Sequence, residues 1–197
     1  MNKRIIFLML ITVLIVPFSA HAEQPLDCLK GHITRVVDVL RDPALKGESG
    51  KKTKKAKIRS VSGRMFDFPE LSRRTLGQNW GKLSAEQQAE FVALYQSLLE
   101  NVDADRLLTY SDEKITYDKE FPLSEKTVEV QTTIVTKKAD VPIYYRMIRK
   151  EGEWRVYDVV IEGVSLINNY RTQFREMLSN KPPDALIDIL RKKVSKA

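Results

Sequence analysis

Cysteine and histidine are nearly missing from this chain, which has Cys28 alone of the first and His21 and His32 of the second. A lone cysteine rules out an intramolecular disulfide, and no nucleophile-base-orienter set can be assembled from cysteine and histidine. Cys28 and His32 stand four apart, on one face of a helix. Two ligands make a poor metal site, and the plainer reading has both packing or capping that helix. No GxSxG, HExxH, CxxC, phosphate-binding loop or dinucleotide fingerprint occurs. Past the N-terminal stretch there is no apolar run long enough for a membrane span. No internal repeat is found, and only a lysine run approaches low complexity. The residues therefore predict no catalytic group, no metal and no cofactor.

The N-terminus has an address rather than a fold. Lys3 and Arg4 precede an apolar run from Ile5 to Val16, and Ala20-His21-Ala22 has the small-x-small form of a cleavage site. Residues 1–22 read as a cleaved secretory signal, leaving 23–197 as one domain that is exported and soluble. Pro25-Leu26-Asp27 lacks the small residue that a lipoprotein site needs before its cysteine, so Cys28 reads as a free, buried thiol. Setting Lys3 and Arg4 aside, the 33 basic residues become 31 against 26 acidic ones, a net of +5. From 23 to 82 there are 14 basic and 7 acidic residues; from 83 to 197 there are 17 and 19. A basic exported protein fits anionic lipid better than nucleic acid.

Leu29, Ile33, Val36, Val37 and Leu40 predict a helix over 26–40, ended by Asp42-Pro43. Lys51, Lys52, Lys54, Lys55, Lys57 and Arg59 then form the densest charge run, read either as a solvated helix or loop or as a docking patch for headgroups or an acidic partner. A short helix is expected over 70–77, stopped by Gly77, with Arg73 and Arg74 on its outer face. Ser84 and Gln87 make a capping box for the longest helix, from Ala85 to about Leu108, striped by Phe91, Leu94, Tyr95, Leu98 and Val102. From Tyr110 the period becomes two. Lys114–Tyr117 reads as a short strand, 127–137 and 141–150 as longer ones, and Glu151-Gly152-Glu153 as a hairpin turn. Pro182-Pro183 introduces a last helix over 184–194, with Leu186, Ile189, Leu190 and Val194 on one side. The fold class is α+β: a curved antiparallel sheet of about four strands covered by amphipathic helices, with an apolar cavity between them.

The stretch WRVYDVVIEGVSLINNYRTQF, Trp154 to Phe174, joins the two periods. Trp154, Val156, Asp158, Val160 and Glu162 fall on one face of a strand, and Arg155, Tyr157, Val159 and Ile161 on the other. After a corner at Gly163-Val164-Ser165, Leu166, Tyr170, Phe174 and Leu178 line one side of a helix. This stretch, with FDFPELSRRTLGQNW (Phe66–Trp80) and SAEQQAEFVALYQSLL (Ser84–Leu99), resembles the MlaC (toluene-tolerance) family, periplasmic carriers of phospholipid between the two membranes of Gram-negative bacteria. Two departures stand out: Val102-Asp103 where the family often has Thr-Tyr, and Pro182-Pro183 where it usually has glycine.

The resemblance implies a non-enzymatic carrier with phospholipid as cargo. It also implies two partners: an inner-membrane ABC transporter complex with its substrate-receiving subunit, and an outer-membrane lipoprotein–porin complex. It places lipid tails between sheet and helices and makes Val164 and Leu166 the first candidates for the cavity wall. Leu94, Leu98, Val130, Ile134, Tyr145, Met147, Val160 and Ile167 join them on periodicity alone. Tyr170 and Arg171 match the family pattern. Asp158 on an otherwise apolar strand needs a partner, for which Arg155, Arg171 and Arg146 are available. The rival reading is a cone-fold α+β enzyme, a hydrolase or cyclase acting on an apolar small molecule, with Asp158 and Glu162 as its acids.

Overall fold

The computed structural model describes residues 24–107, 113–179 and 181–195. The N-terminal segment 1–22, the Val102 side chain and the expected helix end at Leu108 lie outside the described residues. Helices come first: α1 (Pro25–Arg41), α2 (Glu48–Met65), α3 (Phe68–Leu76) and α4 (Ala85–Leu107). A sheet follows, β1 (Lys114–Ser124), β2 (Thr127–Val135), β3 (Asp140–Lys150), β4 (Glu153–Ile161) and β5 (Val164–Ser165), and then α5 (Leu166–Met177) and α6 (Ala185–Val194). The architecture is α+β, with five strands in the order β1-β2-β3-β4-β5, every pair antiparallel.

Local chemistry sets the boundaries. Pro25 opens α1, where a missing N–H costs nothing, and the Leu26 N–H donates to Glu120 Oε1 at 2.6 Å. Asp67 caps α3 by accepting from the Glu70 N–H at 2.8 Å, and Gly77 ends it with a φ of 55°. At α4 the capping box closes both ways: the Ser84 N–H donates to Gln87 Oε1 (2.9 Å) and the Gln87 N–H to Ser84 Oγ (3.2 Å). The charge run is helical throughout α2. Two hairpins turn on pairs of positive-φ residues, Glu151 and Gly152 (52° and 87°) and Glu162 and Gly163 (49° and 83°). Two-residue turns of that hand match the twist of the strands they join.

Extra residues decide which way side chains point. In β1 the pairing steps from Tyr117–Thr132 to Lys119–Gln131, leaving Asp118 unpaired. This bulge hides the strand's continuation to Ser124 from a period-two reading. In β4 the pairing steps from Arg146–Asp158 to Met147–Val156, leaving Tyr157 as the extra residue. The single alternation expected along β4 is therefore broken. Trp154, Val156 and Val159 share one face with Met147 and Tyr145, whereas Arg155, Asp158 and Val160 share the opposite face with Arg146 and Tyr144. Glu162 does not sit with Asp158 but stands exposed in the turn.

Each face has its own core. On the first, α1 presses Cys28, Leu29 and Ile33 against Val128, Val130, Met147, Val156 and Val159. The Cys28 thiol is buried and lies 3.5 Å from the Trp154 carbonyl, to which it donates. On the second, Tyr157 and Ile148 meet a cluster drawn from α3, α4, α5 and α6. Its centre is aromatic: Tyr95 lies 5.5 Å from Phe91, 5.2 Å from Tyr170 and 5.3 Å from Phe174, mostly edge-on. Each such pair adds about 0.5–1.5 kcal/mol beyond its buried area. The Thr75 hydroxyl donates to the Leu71 carbonyl (2.8 Å), so Tyr95 O–H is the donor in its 3.4 Å contact with Thr75.

Candidate functional site

The α1 face of the sheet is finished at one end and open at the other. Cross-strand rows run Val128–Met147–Val156, Val130–Tyr145–Val159, Thr132–Ile143–Ile161 and Ile134–Val141. Val128, Val130, Met147 and Val156 are sealed. Toward the other end, Ile115, Tyr117, Ile134, Val141, Ile143 and Tyr145 keep partial contact with solvent, and Ile161 is 40 % exposed. Val164, paired with Ile161 across the second turn, is 60 % exposed. Tyr145 is the informative residue. Burial pushes its phenol above the ordinary tyrosine range, with the Tyr117 phenol adding to the effect, yet the side chain is not sealed. Tyr145 is thus packed round by protein yet still reached by solvent.

The helix above explains the asymmetry. Leu26 meets Glu120, and the Lys30 ammonium lies 5.7 Å from the Tyr117 ring centroid, so α1 runs antiparallel to β1. A helix rises ~1.5 Å per residue and a strand ~3.4 Å, so by Val37 it has reached the start of β1. Val37 is the last residue of α1 packed on this cluster, and the apolar rows at that end of the sheet are only partly roofed.

The ten residues expected to line one wall do not share one. Val130, Ile134, Tyr145 and Met147 are together on the α1 face, and Val164 stands at its exposed end. Val160 is buried on the opposite face, and Leu94, Leu98, Leu166 and Ile167 belong to the filled cluster around Tyr95. Ile143 and Val141 alternate with Tyr145 in the sequence and were available to the same argument; Ile161 was concealed by the bulge at Tyr157. Two surface grooves lie elsewhere. One, of about 380 Å³, runs between the end of α3 and α5 and includes Gly77, Arg171 and Leu178; the other, of about 300 Å³, runs between α1 and α2 and includes Arg35, Lys57 and Arg64.

The buried acids are committed to structure. Asp158, 2 % exposed, takes Arg146 Nη1 at 3.2 Å, the Ser165 hydroxyl at 2.7 Å and the Ile167 N–H at 3.1 Å. Ser165 in turn accepts from the Asn168 N–H at 3.2 Å, so Asp158 braces the first turn of α5, where a negative charge is favoured. Of the three arginines available, Arg146 is its ion-pair partner; Arg155 pairs with Glu153 and Arg171 donates to the Arg74 carbonyl at 2.7 Å.

The second buried acid, Glu70, lies outside the sequence expectations. Arg73 and Arg74 do not simply face water: both grip Glu70, at 2.6 and 2.7 Å, and Lys150 bridges Asp67 (2.7 Å) and Glu70 (3.3 Å). Burial alone would raise the Glu70 pKa, but the bonds from Arg73 and Arg74 and the charge of Lys150 outweigh it and lower it to about 2. The spacing Glu-x-x-Arg-Arg carried this signal, since residues three and four apart meet on a helix. Arg74 also covers the Tyr157 ring at 4.1 Å. With the Asp67 N–H donating to the Val156 carbonyl at 2.8 Å, α3 is fastened to β4 and α5.

Residues 30–192 match the family model described as MlaC protein. The chain belongs to the MlaC family. Among its relatives is the Intermembrane phospholipid transport system binding protein MlaC of Haemophilus influenzae, 29 % identical over 127 residues, spanning 62 % of this chain and 59 % of that protein. Toluene tolerance protein ttg2D of Pseudomonas putida is 23 % identical over 165 residues, covering 83 % of this chain and 77 % of the relative. The structure of the phospholipid-binding protein of Ralstonia solanacearum, solved with a phospholipid, superposes with a TM-score of 0.79 at 21 % identity, over 88 % of this chain and 98 % of that one. The MlaC fold thus extends over nearly all the described residues. Within it, the two sequence blocks that carry the resemblance meet face to face: Arg171 reaches Arg74, and Asp67 reaches Val156.

Proposed function

We propose that this MlaC-family chain is a periplasmic, non-enzymatic phospholipid carrier. In this reading it is exported by its N-terminal signal and shuttles lipid between an outer-membrane lipoprotein–porin complex and an inner-membrane ABC transporter complex. The observation that carries the proposal is the partly roofed apolar end of the sheet, with Tyr145 as its floor and Ile143, Ile134, Val141 and Ile161 around it. Two sixteen-carbon acyl chains represent on the order of 25 kcal/mol of apolar transfer, at about 0.8 kcal/mol per methylene. Only an apolar cleft that can enclose them offsets that cost, and no reacting group is required. The names of the Haemophilus and Ralstonia proteins support the same cargo. Among the described residues no helix is long and apolar enough to cross a membrane.

An enzyme of the cone-fold kind would need acids and bases converging on the cleft. Asp158 and Glu70 instead lie buried in ion pairs on the helix side of β4. Extraction of the purified protein with organic solvent is the deciding experiment. A carrier releases phospholipid in near-stoichiometric amount, and Ile143→Glu in the cleft lowers that amount while the thermal unfolding transition stays cooperative. A wild-type protein that yields no phospholipid, or an Ile143→Glu variant that keeps all of it, counts against the carrier or its cleft respectively.

A further inference from the structure

Helix α2 has seven basic residues and one acid in 18, and buries only Gly50, Ile58, Val61 and Met65. Part of this charge is used internally. Lys54 donates to the Leu40 carbonyl at 2.8 Å, Lys57 pairs with Asp42 at 3.5 Å, and Arg59 pairs with Glu100 of α4. These contacts fasten the helix to the end of α1 and to α4. In its first half Lys51, Lys52 and Lys55 are all exposed, and Lys51 pairs with Glu48, itself 84 % exposed. Because α2 runs back along α1, its first turns lie beyond the end of α1. That is the end of the sheet at which Ile161 and Val164 protrude.

Lysines and protruding aliphatic tips toward one end suit one kind of surface. At a bilayer interface, ammonium groups meet anionic headgroups while short apolar side chains reach the acyl boundary. An acidic protein would engage the lysines and leave the apolar tips without a role. We infer that the first half of α2, through Lys51, Lys52 and Lys55, docks this protein on the surface of anionic phospholipid bilayers, with the partly roofed end of the sheet turned toward the membrane. The lysines lie on α2, outside the residues named for the cargo cleft, and Ile161 at the rim is shared; vesicle binding and lipid content are separate readouts.

Co-sedimentation of the purified full-length mature chain tests it, using phosphatidylcholine vesicles with and without phosphatidylglycerol, at low and high salt. Binding is expected only with phosphatidylglycerol and is weakened by salt. Lys51→Gln, Lys52→Gln and Lys55→Gln together should lower it ~10-fold or more. A control triple at exposed lysines near the other end of the chain, Lys181→Gln, Lys192→Gln and Lys193→Gln, should retain it. Equal binding to uncharged vesicles, no binding to either, or an equal loss in the control triple overturns the inference. A wild type that binds vesicles but yields no phospholipid on extraction overturns the carrier reading alone; one that yields phospholipid but ignores the vesicles overturns this inference alone.

Discussion

The two apolar clusters flanking β4 draw on similar side chains and end in different states. Around Tyr95 four helices close over one another, and Phe91, Tyr95, Leu71, Leu186 and Leu190 have no solvent contact. On the α1 face one helix, joined only at its edge by Met65 of α2, must roof four strands, and half the apolar rows stay partly wet. The difference teaches that burial here is rationed by helix coverage rather than by hydrophobicity: Ile143 and Ile161 are as apolar as Leu71 and Leu190. The filled cluster is a scaffold, and the unfinished face is where a partner of matching chemistry can add what the chain leaves out.

Predictions follow from trying to break that contrast. Phe91→Ala should cost about 3–5 kcal/mol in denaturant unfolding, since the rings around it cannot collapse into the space. If it costs under about 1 kcal/mol, the scaffold cluster is not the rigid half. Asp158→Ala should cost roughly 2–3 kcal/mol, because the Ile167 N–H and the Ser165 hydroxyl lose their acceptor and Arg146 keeps only Glu129; chemical denaturation with hydrogen exchange on α5 reads the loss. Glu70→Gln should destabilise at neutral pH, with a sign that reverses no trend but closes a gap. The Glu70 pKa is depressed from 4.5 to about 2, so its contribution is full above 4.5 and lost as pH falls toward 2. Melting temperatures of wild type and variant should therefore converge over that interval. Ile143→Ala on the open face should cost least, under about 1.5 kcal/mol, because the residue is not sealed. A larger loss would mean that the open face is as closed as the other.

Element positions were legible in the residues because their signals are local. The Ser84–Gln87 box, Gly77 and the turn at Glu151-Gly152 each act within four residues, and elements begin or end where these stand. The need of Asp158 for an arginine was legible for the same reason, although three candidates had to be narrowed to Arg146 by the sheet register. What escaped was the assignment of apolar stripes to layers. Leu94 on α4 and Val130 on β2 have the same periodic signature, and nothing local says that they face different neighbours. The bulge at Tyr157 escaped too, having no glycine or proline to mark it, so the faces of β4 were read as one alternation. Glu70 was passed over because a glutamate in the first turn of a helix is ordinary on a surface, and only tertiary packing brings Lys150 beside it.

One added amino acid at Tyr157 lets β4 change allegiance halfway along. Before it, Val156 serves the cleft; after it, Asp158 serves the helix, and Val159 returns to the cleft side. Were the strand regular, the carboxylate would point into the greasy layer and a valine would confront the start of α5. A strand that kept Tyr157 in register would transpose an anion and a hydrocarbon between opposite sides of the sheet. Deleting Tyr157 would instead leave Val156 against Met147 and Asp158 against Arg146, and remove only the ring beneath Arg74.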